Sequence, residues 1–357
     1  MSSDSPKLRI KDIAKLAGVS EGTVDRVLHN RGDVSQKSCD AVNKVLDELN
    51  YTPNLLARSL ASKKLYKFLY LIPQFQQNDY WEIVDEGFAQ AADDFSHYNV
   101  RIEKLYFNQF DVKSFVDAAK KAIKMSPDAV FFAPIFKNEA LTFTKQLNEL
   151  NIPVSFIDSM IPEAEFSTYY GQDSFQSGYL AAKMLLGALP VHSQILIIRT
   201  HRKGSVSNQT IARYNGFVQY MSDYNLENQF DIINIEFDNN DEDANREVFK
   251  QCVDKNKNIK AAITFNSKVH RLAKLLVELE QADLRLIGYD LLKQNVEYLK
   301  SGIVNFLIAQ RPDKQSYSSV RDMCKQLIYK QEVKKINFMP IDILVKENID
   351  DYMNFVE

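Results

Sequence analysis

A small all-α head followed by a two-lobed α/β body with parallel sheets is the architecture this sequence predicts, on three observations. Near the N-terminus, the run Asp12-Ile-Ala-Lys-Leu-Ala-Gly-Val-Ser-Glu-Gly-Thr-Val-Asp-Arg-Val-Leu28 reads as two short helices around a tight turn. From Tyr66 onward, short apolar runs alternate with amphipathic helical stretches, the pattern of parallel strands with helices on both faces. Ten such runs are too many for one modest sheet, so two lobes are expected.

The head is built in order. Ile13, Ala14, Leu16 and Ala17 give the first helix its apolar pattern, with Asp12 near its start. Gly18 suits the left-handed residue that ends a helix. Val19 turns inward. Ser20 is placed to cap the second helix, on which Val24, Val27 and Leu28 form an apolar stripe. A third helix is expected from about Ser35 to Leu49, with Val42, Val45, Leu46 and Leu49 on one face. Two helices joined by a short Gly-containing turn make a helix-turn-helix unit. In Asn50-Tyr-Thr-Pro-Asn-Leu-Leu-Ala-Arg-Ser-Leu-Ala61, Pro53 and Asn54 stand where a short further helix would start. That helix has about two turns and is marginal alone.

Several blocks here share the spacing of one family. Ile13-Ala14, Ala17-Gly18-Val19-Ser20, Thr23-Val24, Arg26-Val27-Leu28, Leu49-Asn50-Tyr51, Pro53-Asn54 and Ala57-Arg58-Ser59-Leu60 are its words in this chain. Residues 8–61 resemble the headpiece and hinge of the lac repressor and galactose repressor (LacI-type) family of bacterial transcription regulators. The resemblance implies a DNA-binding head over 1–52 and a hinge helix and linker over 53–65. The recognition helix would present Glu21, Gly22 and Arg26 to base edges. Arg26 would pair bidentately with guanine, while Glu21 accepts from a cytosine amine or points at solvent. Ser20, Thr23 and His29 would contact phosphates, which position without specifying. Asn54, Ala57 and Arg58 would face DNA from the hinge, and Leu60 would wedge into the minor groove or pack as a linker leucine. Asp25 departs from the family pattern. It stands where a small hydroxyl residue usually meets the DNA backbone, which puts that contact in doubt.

Charge follows the same division. Residues 1–64 sum to about +3 and the remainder to about −6, within a total of −3. A modestly basic head on an acidic body suits a nucleic-acid binder whose affinity is salt-dependent. With 357 residues and 45% hydrophobic content, the chain can bury large cores. It contains no apolar run near 18 residues, so no membrane span is expected. The opening Met-Ser-Ser-Asp-Ser-Pro-Lys lacks the apolar stretch of a secretion signal, and a cytoplasmic protein is the expectation. Cys39, Cys252 and Cys324 form no metal or disulfide pattern and are expected as reduced thiols.

The body's strands are expected at Phe68–Ile72, Val100–Phe107, Ala129–Ala133, Val154–Ile157, Thr168–Gly171, Ile195–Ile198, Ile232–Phe237, Ala261–Phe265, Arg285–Tyr289 and Asn305–Ala309. Helices between them include Trp81–Phe95, Ser114–Met125, Ser174–Leu189 and Lys268–Leu279. Residues 66–345 resemble the type I periplasmic sugar-binding fold, the sensor body of the same family. The lobes are expected at about 66–168 with 306–332, and 169–305 with 333–357.

In such folds ligands lie beyond the carboxyl ends of strands. Those ends supply Tyr80, Trp81, Asp158, Gln172, Asn266, Asp290 and Gln310, with Arg213 on the helix after the sixth strand. A pyranose has apolar faces and a rim of hydroxyls. Tyr80 and Trp81 could cover the faces, unless Trp81 is a core anchor. Asp158 and Asp290 could accept, Arg213 donate, and Asn266 and Gln310 do both. The basic run Arg199-Thr-His-Arg-Lys203 either meets an anionic ligand or is a solvated loop.

The expected protein is therefore a dimeric regulator of a palindromic operator on double-stranded DNA, responsive to a sugar or sugar derivative. A solute-binding protein without regulatory role is the alternative. Catalysis is not expected. The eleven glycines contain no dinucleotide or phosphate-loop motif, the five histidines are scattered without a pair at metal spacing, and no cofactor is implied.

Overall fold

The structure, a computed structural model, describes residues 10–28, 32, 34–48, 64–201, 207–238, 241–281 and 283–356. The chain forms two compact units, residues 1–62 and 63–357.

In the first unit, α1 (Ile10–Ala17), α2 (Glu21–Leu28) and α3 (Gln36–Glu48) close around Ile13, Ala14, Val24, Val42 and Val45, all buried. Gly18 has φ +66°, and the Val19 amide donates to the Ala14 carbonyl at 3.0 Å. This is the Schellman arrangement, in which a left-handed residue lets the next amide satisfy a carbonyl one turn back. Ser20 Oγ then accepts from the Thr23 amide at 3.1 Å, capping α2. Ser35 Oγ does the same for α3 from the Ser38 amide at 3.3 Å. One residue of the apolar pattern corrects the sequence reading. Leu16 is 60% exposed, because it falls on the side of α1 away from α2 and α3. Leu49 and the hinge lie outside the described residues.

The second unit alternates strands and helices: β1 (Tyr66–Pro73), α4 (Tyr80–Phe95), β2 (Val100–Phe107), α5 (Val112–Lys124), β3 (Ala129–Phe132), α6 (Lys137–Glu149), β4 (Val154–Ile157) and β5 (Thr168–Gln172). It continues with α7 (Ser174–Leu186), β6 (Ser193–His201), α8 (Asn208–Asp223), β7 (Phe230–Asp238), α9 (Glu242–Lys255), β8 (Ile259–Thr264), α10 (Val269–Glu278), β9 (Arg285–Tyr289), α11 (Lys293–Lys300) and β10 (Phe306–Ala309). Then come α12 (Pro312–Leu327), β11 (Ile336–Met339), β12 (Asp342–Leu344) and α13 (Ile349–Val356). The first sheet has order β11-β5-β4-β3-β1-β2 and is parallel throughout. The second has order β12-β10-β9-β8-β6-β7, with β12 antiparallel. Central strands such as β3 and β4 are buried along their whole length, as parallel strands covered on both faces must be.

All ten expected strands are present. Two were not foreseen, β11 and β12, and the strand pairings move the lobe boundaries. β5 pairs with β4, so the first lobe runs to about 172 and not 168. β10 pairs with β9, so residues 306–309 belong to the second lobe and not the first. β11 pairs with β5, returning 336–339 to the first lobe and not the second. The cause is common: each crossover leaves after a strand has completed its ladder, so strands mark the boundary better than loops.

Helices α7 and α8 approach closely through glycine. A Cβ built on Gly178 would lie 1.9 Å from the Arg213 carbonyl oxygen, and one on Gly216 would lie 1.9 Å from that of Phe175. Gly178→Ala must therefore separate two helix backbones. It is expected to cost about 1–3 kcal/mol or more in urea unfolding. An unchanged midpoint would mean that the two helices do not meet at this residue.

Candidate functional site

Two aspartates are set by the same backbone device, one in each lobe. After β4, the Asp158 amide still donates to Tyr170 O and to Gln315 Oε1, both at 3.0 Å, and the backbone then turns left-handed at φ +66°. After β9, the Asp290 amide donates to Ile308 O at 3.0 Å and φ is +70°. A short polar residue tolerates this conformation. The turn lifts each carboxylate out of its sheet's ladder into the space between the lobes. Both residues are buried, at 6% and 3% exposure.

A hydrogen-bonded chain links them. Tyr80 Oη donates to Asp158 Oδ1 at 2.7 Å. Gln209 Nε2 lies 3.2 Å from the same oxygen and 3.1 Å from Gln310 Oε1, bridging the lobes. Gln310 Nε2 donates to Asp290 Oδ1 at 2.8 Å, and Arg213 Nη2 donates to Gln310 Oε1 at 2.9 Å. Arg213 Nη1 donates to Phe265 O at 2.9 Å, and its guanidinium lies 3.8 Å from the Tyr289 ring centre. Arg213 is fully buried. Asn266 donates to Thr200 Oγ1 at 2.6 Å and accepts from the Lys268 amide at 2.9 Å, which fixes its orientation.

These groups line a cavity of about 110 Å³ between the lobes. Of the eight expected ligand residues, Tyr80, Trp81, Asp158, Arg213, Asn266, Asp290 and Gln310 all reach it. Trp81 does both jobs the sequence allowed: it is buried in the first lobe's core and also faces the cavity. Gln172 is the exception and corrects the sequence reading. It lies at a strand end, but its Nε2 donates to Ala309 O at 3.0 Å and Pro340 O at 3.1 Å. One side chain so ties all three crossovers together, outside the cavity. Gln209 was missed, although its i, i+4 spacing to Arg213 places both on one face of α8. Thr200, Arg199 and Asp79 also line the cavity. Arg199 lies over the Tyr214 ring at 4.5 Å. Arg202 and Lys203 lie outside the described residues.

Burial pushes the Asp290 carboxyl up to about 7, against the opposing pull of Arg213 and Gln310; Asp158 adds to the rise. Burial also raises the Tyr80 hydroxyl well above its usual range, with Asp158 and Asp290 adding to it. A ligand hydroxyl donating to Asp290 prefers the ionised carboxylate, so binding would release its proton. Ligand affinity is expected to fall about tenfold from pH 8 to pH 6, and Asp290→Asn to remove the dependence. Without ligand the sign is opposite. The raised carboxyl favours the folded state at low pH, and that contribution is lost as pH rises through about 7. Titration calorimetry at several pH values measures the first effect, and a flat profile would rule it out.

Residues 69–331 match the periplasmic binding protein domain family, and residues 9–54 match the lacI family of bacterial regulatory proteins. A solved LacI transcriptional regulator from Bacteroides fragilis is 38% identical with a TM-score of 0.77, covering 81% of this chain and 100% of that one. The chain belongs to the LacI family. The MalR regulator of Streptococcus pneumoniae is 41% identical over 97 residues, 26% of this chain and only 29% of MalR. The ribose operon repressor of Lactococcus lactis is 23% identical over 79% of this chain and 80% of its own. GanP, a glucose-galactose binding protein from Geobacillus stearothermophilus, is 23% identical with a TM-score of 0.70, covers 80% of this chain and 99% of its own, and shares the body fold.

In this LacI-family chain the head's α2 leaves Ser20, Glu21, Gly22 and Arg26 exposed, with Thr23 half-buried. Thr23 Oγ1 lies 2.9 Å from Ser20 Oγ, so the two hydroxyls form one polar pair at the helix start. Asp25, the departure from the family pattern, is half-buried on the same helix. His29, Asn54, Ala57, Arg58 and Leu60 lie outside the described residues. No described helix is long and apolar enough to cross a membrane.

Proposed function

We propose that this chain is a ligand-responsive transcription regulator, not an enzyme. It binds a near-palindromic operator as a homodimer, and its body senses a sugar or sugar derivative between the lobes. The observation that carries this reading is the combination in one chain of two parts. One is a capped helix-turn-helix head with Glu21, Gly22 and Arg26 exposed on α2 and Ser20 exposed at its cap. The other is an interlobe cavity holding two acceptors, Asp158 and Asp290, a buried donor, Arg213, and the two-way amides of Asn266 and Gln310. That donor and acceptor set complements a ring of hydroxyls, and Trp81 offers an apolar face. Burying such polar groups rejects ligands that leave them unpaired. Ligand would change lobe closure and so the pairing of the two hinges. The coupling, typically about 1–3 kcal/mol, must be reciprocal between ligand and DNA.

Arg199 and Lys268 on the cavity wall favour a second reading, in which the ligand is a sugar acid or sugar phosphate.

The test begins with thermal unfolding against neutral sugars, polyols, sugar acids and sugar phosphates. A ligand at about 100 times its Kd stabilises by about 2.7 kcal/mol. Operator affinity is then measured by fluorescence anisotropy with and without the hit. A neutral hit selects the first reading, and a hit with anionic ligands alone selects the second. A hit that leaves operator affinity unchanged would remove the sensing role. Arg26→Ala is expected to weaken specific binding by about 1–3 kcal/mol.

A further inference from the structure

A second recess lies on the seam between the lobes. It has a volume of about 410 Å³ and shares a single described wall residue, Gln209, with the ligand cavity. Its first-lobe wall comes from the loop after β4, with Met160, Ile161 and Pro162, and from Phe338 on the edge strand β11. Its second-lobe wall includes Phe175 on α7 and Ala212 on α8. Phe175 is 41% exposed and Phe338 51%, large apolar groups left open to solvent on both sides of one seam. Gln172, absent from the ligand cavity, is part of this wall and is 1% exposed. Both its amide hydrogens are used, on Ala309 O and Pro340 O, yet its Oε1 has no hydrogen-bond partner among the described residues. A buried acceptor of this kind favours an occupant that brings a donor.

We propose that this recess is a second small-molecule site, fitted to an aromatic ring that carries an N–H or O–H donor, and that its occupancy is coupled to the ligand cavity through Gln209. The phenylalanine rings offer faces and edges for a second ring. The wall is mixed: its aliphatic side chains and the two phenylalanines suit a flat apolar body, and Lys137, Glu163, Asp173 and Asn208 line the same recess and can meet its polar edge. Gln172 Oε1 is enclosed in the structure, so the occupant's donor is accepted there only as the Gln172 side chain turns toward the recess. Because the walls come from both lobes, the occupant binds one degree of closure better than another. Gln209 carries the effect further, since its amide also holds Asp158 and Gln310 at 3.2 and 3.1 Å. Coupling of this kind is felt equally from either site.

The test is calorimetric titration of the full chain with indole, phenol and adenine at millimolar concentration. At least one is expected to bind, with Kd weakened at least fivefold in Phe338→Ala and in Phe175→Ala. Both side chains are exposed, so melting temperature should hold. Asp290→Asn, which removes a sugar acceptor from the cavity, is expected to abolish sugar binding while probe binding persists, shifted by no more than the coupling, so failure of the sugar reading and failure of this one are distinguishable. Adenine or phenol should also shift the emission of Trp81, the sole tryptophan, which lines the cavity. No binding by any probe, equal binding by the phenylalanine variants, or abolished probe binding in Asp290→Asn overturns the site. Bound probe with unshifted Trp81 emission overturns the coupling.

Discussion

Arg213→Ala is expected to destabilise the body by about 3–5 kcal/mol and to abolish ligand binding. The guanidinium is fully buried, and its described partners are a backbone carbonyl, an amide oxygen and the face of Tyr289. Its charge is felt by Asp290, whose carboxyl it pulls down against the upward push of burial. Removing it leaves Gln310 and Phe265 short of donors, removes the cation that favours the Asp290 carboxylate, and opens a hole beneath α8. Arg213→Lys keeps the charge but cannot reach both acceptors with a planar fork, so it should recover part of the stability and little of the ligand affinity. Urea unfolding followed by far-ultraviolet dichroism measures the first effect and reports both lobes, whereas Trp81 lies in the first lobe's core and Arg213 in the second lobe. A loss below about 1 kcal/mol would mean that the network contributes little to the fold.

Much of this site was legible because strand ends are legible. Asp158, Asp290 and Gln310 each stand within one residue of the end of an apolar run, and parallel α/β topology sends such ends to one edge of a sheet. The same logic misplaced Gln172, which also ends a strand. Position along a strand does not say which way a side chain turns, and the carbonyls of Ala309 and Pro340 claimed its amide. Gln209 lies one turn before Arg213 on α8, and only that i, i+4 spacing, not a strand end, points to it. β11 and β12 were invisible for a different reason. They have four and three residues, and β11 is only partly buried at a sheet edge, so neither produces an apolar run. Missing β11 misplaced residues 336–339 in the second lobe, and the two-lobed reading is unaltered.

The head should respond to mutation far more sharply than its size suggests. Ile13→Ala is expected to cost about 2–5 kcal/mol, a figure comparable to the whole stability of so small a unit. Ile13 is completely buried against Ala14, Val24, Val42 and Val45, and these five are the head's entire set of buried apolar residues among those described. A small domain has no second layer of core to take up the loss. The variant should therefore lose specific DNA binding outright, while the body's Trp81-reported unfolding and its ligand affinity stay at wild-type values. Leu16→Ala is the control from the same helix. Leu16 belongs to the same apolar pattern in the sequence but is 60% exposed, and its truncation should change head stability by no more than about 0.5 kcal/mol. Anisotropy with operator DNA, together with far-ultraviolet dichroism of the full chain, separates the two variants. If Ile13→Ala retained wild-type operator affinity, the three-helix core would not be what holds the reading helix in place. If Leu16→Ala proved as damaging as Ile13→Ala, the apolar pattern of the sequence, and not the burial in the fold, would be the better guide to this head.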